Sequence, residues 1–142
     1  MKTAAVGSEL FSALFLFVLC GSGSLHAQVR FEWTVGGEKR EAIVYAPSKS
    51  SDARRPAVFV WHGRGGEMRA AADKFRIHRL WPEAVVVYPQ GLPTPGKLTD
   101  REGRHSGWQF SAGEQGDRDL KFFDVLLASV RKDHGADGPI YA

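Results

Sequence analysis

The sequence predicts an α/β fold that opens with an N-terminal β-hairpin and continues into βαβ units of a mostly parallel sheet. Three observations carry this expectation. Residues 29–35 and 38–46 alternate apolar and polar side chains on either side of Gly36-Gly37, the period-two signature of half-buried strands joined by a turn. Two short runs, Ala57–Trp61 and Ala84–Tyr88, are apolar at successive positions, as central parallel strands covered on both faces are. Residues 67–80 and 117–133 then place apolar side chains at helical spacing.

In chain order, residues 1–27 read as a signal peptide. Lys2 is followed by the apolar stretch Leu10–Cys20 and then by small residues ending at Ala27. The apolar stretch is about ten residues long, too short for the roughly 20 that a membrane-spanning helix needs. Cleavage is expected between Ala27 and Gln28, leaving residues 28–142 as one domain. In the hairpin, Val29, Phe31, Trp33 and Val35 share one face of the first strand. Ala42, Val44 and Ala46 share one face of the second, with Ile43 and Tyr45 on the other. Residues 47–55 form a polar surface loop.

The strand at Ala57–Trp61 leads through a glycine-rich turn into a helix carrying Met68, Ala71, Ala72, Phe75, Ile77 and Leu80, bounded by Pro82. Ala84–Tyr88 follows as the next strand, stopped by Pro89 and Gly91. Residues 89–116 are irregular and, following a strand directly, are placed at the rim of a site. A second helix at 117–133 has Asp117 and Asp119 near its start and Arg131 and Lys132 near its end, matching the helix dipole. Its expected stripe is Leu120, Phe123, Leu127 and Val130, supported by Leu126, and Gly135 is its stop. Ile140-Tyr141-Ala142 reads as the first residues of a third parallel strand. The chain is therefore expected to be the N-terminal part of a longer domain.

Composition excludes several classes. The chain has 19 Lys+Arg and 16 Asp+Glu, a net charge of +3. Removal of residues 1–27 takes one charge of each sign, Lys2 and Glu9, and leaves that balance unchanged. The basic residues, Arg40 among them, are scattered among acids and read as a solvated surface, not as a nucleic-acid footprint. The single cysteine, Cys20, leaves with the signal, so neither a disulfide nor thiolate chemistry is expected. His78, His105 and His134 lack metal-ligand spacing, and no metal site is expected.

The most telling motif is Trp61-His62-Gly63-Arg64-Gly65-Gly66, a His-Gly-x-Gly-Gly turn at the end of an apolar strand. Glycines in such a turn let the backbone adopt positive φ and approach a ligand closely. Together with Val86-Val87-Tyr88-Pro89-Gln90-Gly91, Gly107-Trp108-Gln109, Gly116–Asp124 and Ile140-Tyr141-Ala142, the motif makes residues 29–142 resemble secreted esterases of the polyhydroxybutyrate depolymerase and feruloyl esterase group, within the α/β-hydrolase superfamily.

The resemblance implies an α/β-hydrolase fold, here truncated before the nucleophile elbow, and a serine carboxylic-ester hydrolase. It places the loop donor of the oxyanion hole at Gly63, Arg64 or Gly65, with the Arg64 amide favoured. His62 is read as structuring the loop through hydrogen bonds, because a catalytic base needs a partnered nucleophile. Trp108 is a candidate to stack on substrate and Arg64 to meet an acyl carboxylate; ordinary packing is the alternative for both.

No G-x-S-x-G occurs in the 142 residues, so no catalytic residue is assigned and the chain alone is expected to be inactive. Ser106 and Ser111 lack the flanking glycines. No metal or organic cofactor is implied, and the implied partner is an ester: a polyester, a feruloylated polysaccharide or a small ester. Neither nucleic acid nor, after signal cleavage, membrane is an expected partner. Two alternative functions stand beside the esterase. One is a non-catalytic secreted ligand-binding module; the other is a different α/β hydrolase, such as a dienelactone hydrolase or a prolyl-oligopeptidase-like peptidase.

Overall fold

The computed structural model describes residues 26–47 and 54–142. The expected signal peptide lies outside the described residues, apart from the backbone at positions 26 and 27, as does most of the expected surface loop at 47–55.

Two ten-residue strands, β1 (His26–Val35) and β2 (Glu38–Pro47), form the hairpin across Gly36-Gly37. They are followed by β3 (Ala57–Phe59), the helices α1 (Met68–Phe75) and α2 (Ile77–Leu80), and β4 (Val85–Pro89). A small hairpin of β5 (Leu92–Pro93) and β6 (Ser106–Gly107) lies within the segment expected to be irregular. A 3-10 turn at Glu114–Asp117 leads into α3 (Arg118–His134), and β7 (Ile140–Tyr141) completes the order.

The main sheet has five strands in the order β1-β2-β4-β3-β7. Its pairing overturns the expected mostly parallel α/β-hydrolase sheet. β1 with β2 and β2 with β4 are antiparallel, over ten and four register pairs, whereas β3 pairs in parallel with β4 over three and with β7 over two. The sheet is mixed, and most of its register is antiparallel.

The reason lies in β2 and β3. Along β2, Ala42, Val44 and Ala46 are buried on one face and Ile43 on the other, so this strand is covered on both sides and sits inside the sheet against β4. The apolar run from Ala57 gives a regular strand of only three residues, because beyond Val60, whose N–H still reaches the Val87 carbonyl, the backbone turns into the glycine loop.

The helices sandwich this sheet. Phe122, Leu126 and Val130 of α3 pack on Val44, Phe59, Val85 and Val87, while Met68, Ala71 and Ala72 of α1 pack on Ile43, Val86 and Tyr88. Alternation along β4 thus sends successive side chains to opposite cores. The segment read as one helix over 67–80 is divided at Arg76, whose left-handed φ of 51° ends α1 and starts α2.

The stripe expected on α3 is turned by about a residue. Asp119, Phe122, Leu126 and Val130 face inward, and Leu120 is half exposed. Gly135 ends the helix as expected, its N–H donating to the Arg131 carbonyl.

Candidate functional site

The glycine loop leaves the C-terminal end of β3 and is held by hydrogen bonds to its own backbone and to Gly91, Ser106 and Trp108. His62 is buried. Its Nε2 accepts the Gly91 N–H at 2.9 Å and the Gln90 side-chain amide at 3.2 Å, so Nε2 carries no proton. The proton therefore sits on Nδ1, which donates to the Gly63 carbonyl at 2.7 Å. With both ring nitrogens engaged in the loop, His62 structures it and has no nitrogen left to take a proton from a nucleophile.

Gln90 extends this tie to α1, because its Oε1 accepts the Met68 N–H at 2.9 Å. The Gly65 N–H donates to the Ser106 carbonyl at 2.7 Å, the Gly66 N–H to the Gly63 carbonyl at 2.9 Å, and the Ser106 hydroxyl to the Gly66 carbonyl at 2.6 Å.

Of the three amides expected to include one loop donor, one is committed elsewhere. Gly65, at φ 69°, has its amide committed to Ser106. The N–H groups of Gly63 and Arg64 have no acceptor among the described residues. A Cβ built on Gly63 would meet no heavy atom within 4 Å, so this side of the loop faces open space.

That space is a cleft of about 660 Å³. Its floor is His62, Gly63 and Arg64, and its walls include Leu98, Trp108 and Phe110. Leu98 and Phe110 are among the most exposed large apolar side chains of the described residues. The Lys97 ammonium lies over the Phe110 ring at 3.7 Å.

Trp108 is anchored. Its indole N–H donates to the His62 carbonyl at 2.9 Å, and its ring meets Trp61 edge-on at 4.7 Å. It lines the cleft from this fixed position and supports the loop from behind. The Arg64 guanidinium is also committed, donating to the Thr94 carbonyl at 2.6 Å and to the Asp100 carboxylate at 2.8 Å. The side chain expected to meet an acyl carboxylate is instead held by its own rim loop.

Asp100 organises that rim. Its carboxylate accepts the backbone N–H groups of Arg104 and His105, with the His105 ring and Arg64 adding to them, and together these hold its pKa well below the ordinary carboxylate value.

Behind the cleft lies a buried ion pair. Arg40 of β2 donates to Asp119 of α3 at 2.8 Å, and its guanidinium lies over the Phe122 ring at 4.1 Å. Burial pushes the guanidinium pKa down from its usual value, with Asp119 opposing. The second Asp119 oxygen accepts the Gln109 N–H at 2.6 Å, and the Gln109 side-chain carbonyl accepts the Asp119 N–H at 3.0 Å. Gln109 adjoins Trp108, so the pair connects β2 and α3 to the residue that supports His62. Asp119, read as a helix-dipole charge, thus also fixes the rim. Arg40, read as solvated, is 1% exposed.

The remaining histidines lie apart. His78 is buried on the other face of the sheet, stacked on Tyr45 at 3.7 Å and 3.0 Å from the Tyr88 hydroxyl. His134 packs near Phe31, and burial lowers its pKa. Among the described residues no group of three or more His, Cys, Asp or Glu is placed to hold a metal ion, and no helix is long and apolar enough to cross a membrane.

Sequence reasoning missed Gln90, Asp100 and Ser106 as site residues. Gln90 was within reach, since it sits between an apolar strand and a glycine, where a side-chain amide meets neighbouring loops. Asp100 and Ser106 carry no local signal.

The site geometry is where comparison with known proteins bears. No protein-family profile matches the chain, and no curated protein matches it.

Proposed function

We propose that the chain is part of a secreted serine carboxylic-ester hydrolase and supplies one half of its oxyanion hole. The observation that carries this reading is the pair of N–H groups at Gly63 and Arg64, without an acceptor among the described residues, in a loop that lines a cleft together with Leu98, Trp108 and Phe110. Donors fixed before substrate arrives stabilise the negative oxygen of a tetrahedral intermediate without reorganising. In such acyl transfer a serine hydroxyl attacks the ester carbonyl, a histidine shuttles the proton, and water releases the acid. Neither the serine nor its base is assigned among these 142 residues. The loop donor is assigned to the Arg64 amide, with Gly63 beside it, and removal of one such donor is worth about 3–4 kcal/mol in the transition state.

Sequencing the coding DNA through and past the Ala142 codon tests the reading. A frame that continues into G-x-S-x-G within about ten codons, with Asp and His codons later, is the expected result. A genuine stop codon would refute the catalytic assignment and leave ligand binding by the same cleft as the working function.

A further inference from the structure

We propose that the cleft adjoining the glycine loop is a carboxylate subsite and that Arg101 is the cation that reads it. The ester taken would then carry an ionised carboxylate, as the half-ester of a dicarboxylic acid does. This inference rests on the ester reading above.

The second cleft has a volume of about 610 Å³ and shares Arg64 and Thr99 with the first, so the two adjoin at Arg64. It is lined by more cations than anions: Arg64, Arg101 and Arg104 against Asp100 and Glu102. Both anions are already compensated. Asp100 accepts from Arg64, His105 and two backbone amides, and Glu102 pairs with Arg104.

Arg101 has neither an ion pair nor a hydrogen bond among the described residues. It is the uncompensated charge of the cleft. Arg64 differs in that its charge is already paired with Asp100 and one of its guanidinium nitrogens is held by the Thr94 carbonyl as well.

A guanidinium presents parallel N–H donors that match a carboxylate in two-point contact. A ligand whose ester lies over the Gly63 and Arg64 amides, with its chain crossing Arg64, brings a terminal carboxylate to this group. A neutral ester finds no partner there and leaves the cation solvated.

The test is a titration of the 142-residue chain with monoethyl adipate and with diethyl adipate, followed by NMR at the backbone amides of Gly63, Arg64 and Arg101. The chain is expected to bind the half-ester about fivefold more tightly than the diester, the scale of an exposed ion pair. The preference should vanish in Arg101→Gln, persist in part in Arg101→Lys, and shrink at high salt. Arg101 is exposed, so these variants keep the fold.

Equal affinity for the two esters, or a preference unchanged in Arg101→Gln, would overturn the carboxylate subsite. Shifts of the Gly63 and Arg64 amides by the diester would still uphold the ester reading in that case. A half-ester that moves Arg101 but neither loop amide would instead fail the ester reading. Absence of binding by both ligands overturns the subsite.

Discussion

At the scale of single residues, the loop depends on close approaches that few side chains allow. Gly91 donates its N–H to His62, and a Cβ placed on it would lie 2.5 Å from the Gly107 carbonyl oxygen, with backbone on both sides of the conflict. Gly91→Ala is expected to destabilise the fold by about 1–3 kcal/mol, because neither strand end can yield as a flexible side chain would. The urea midpoint measures this. Trp108→Phe keeps an aromatic ring but removes the donor to the His62 carbonyl. About 1 kcal/mol of stability should go with it, together with a shift of the His62 ring resonances. Asp100 gives a pH prediction. Its folded pKa lies below the ordinary 3.8, so the folded state keeps the carboxylate charged where the unfolded chain protonates it. The stability it contributes is full above about pH 4 and is lost as pH falls toward the folded value. The melting temperature, followed from pH 5 to pH 2, should therefore fall less steeply in Asp100→Asn than in the parent.

At the scale of elements, the buried pair of Arg40 and Asp119 decides how α3 lies on the sheet. Periodicity alone places the stripe at Leu120, Phe123, Leu127 and Val130, supported by Leu126. The pair turns the helix so that Asp119, Phe122, Leu126 and Val130 face inward, because Asp119 reaches both β2 and Gln109. Asp119→Leu strands a buried guanidinium whose Nε already lacks a hydrogen-bond partner, and should cost about 3–5 kcal/mol. The double variant Arg40→Met with Asp119→Leu replaces both charges with apolar groups and should recover most of that stability. A denaturation cycle over the four proteins measures the difference. Loss of the Gln109 tether should persist in the double variant, seen as broadened amide signals at Trp108 and Gln109.

At the scale of the whole molecule, the glycine loop, the small β5-β6 hairpin and the rim around Asp100 gather at one end of the sheet, the end at which β3 and β4 finish. The assembly leaves the Gly63 and Arg64 amides open and contains no assigned nucleophile. Purified chain is expected to hydrolyse p-nitrophenyl acetate no faster than buffer, and turnover above that blank would refute the division of the site. The hairpin, the two apolar runs, the helix ending at Gly135 and the glycine turn after β3 are legible in the sequence because each is a local pattern of spacing and backbone freedom. Strand order is not such a property. β2 reads as half of a hairpin, yet its apolar second face admits it beside β4, and that antiparallel contact gives the sheet its mixed character. The same holds for the site. The sequence by itself determined that a flexible turn of the His-Gly-x-Gly-Gly kind stands at a strand end. Only the tertiary structure decided which groups stay open, since the Gly65 amide is closed by the Ser106 carbonyl and the His62 ring by the Gly91 N–H, and the pair behind them joins residues 79 positions apart. Contacts of that separation are fixed by how the layers close on one another, and no local periodicity records them.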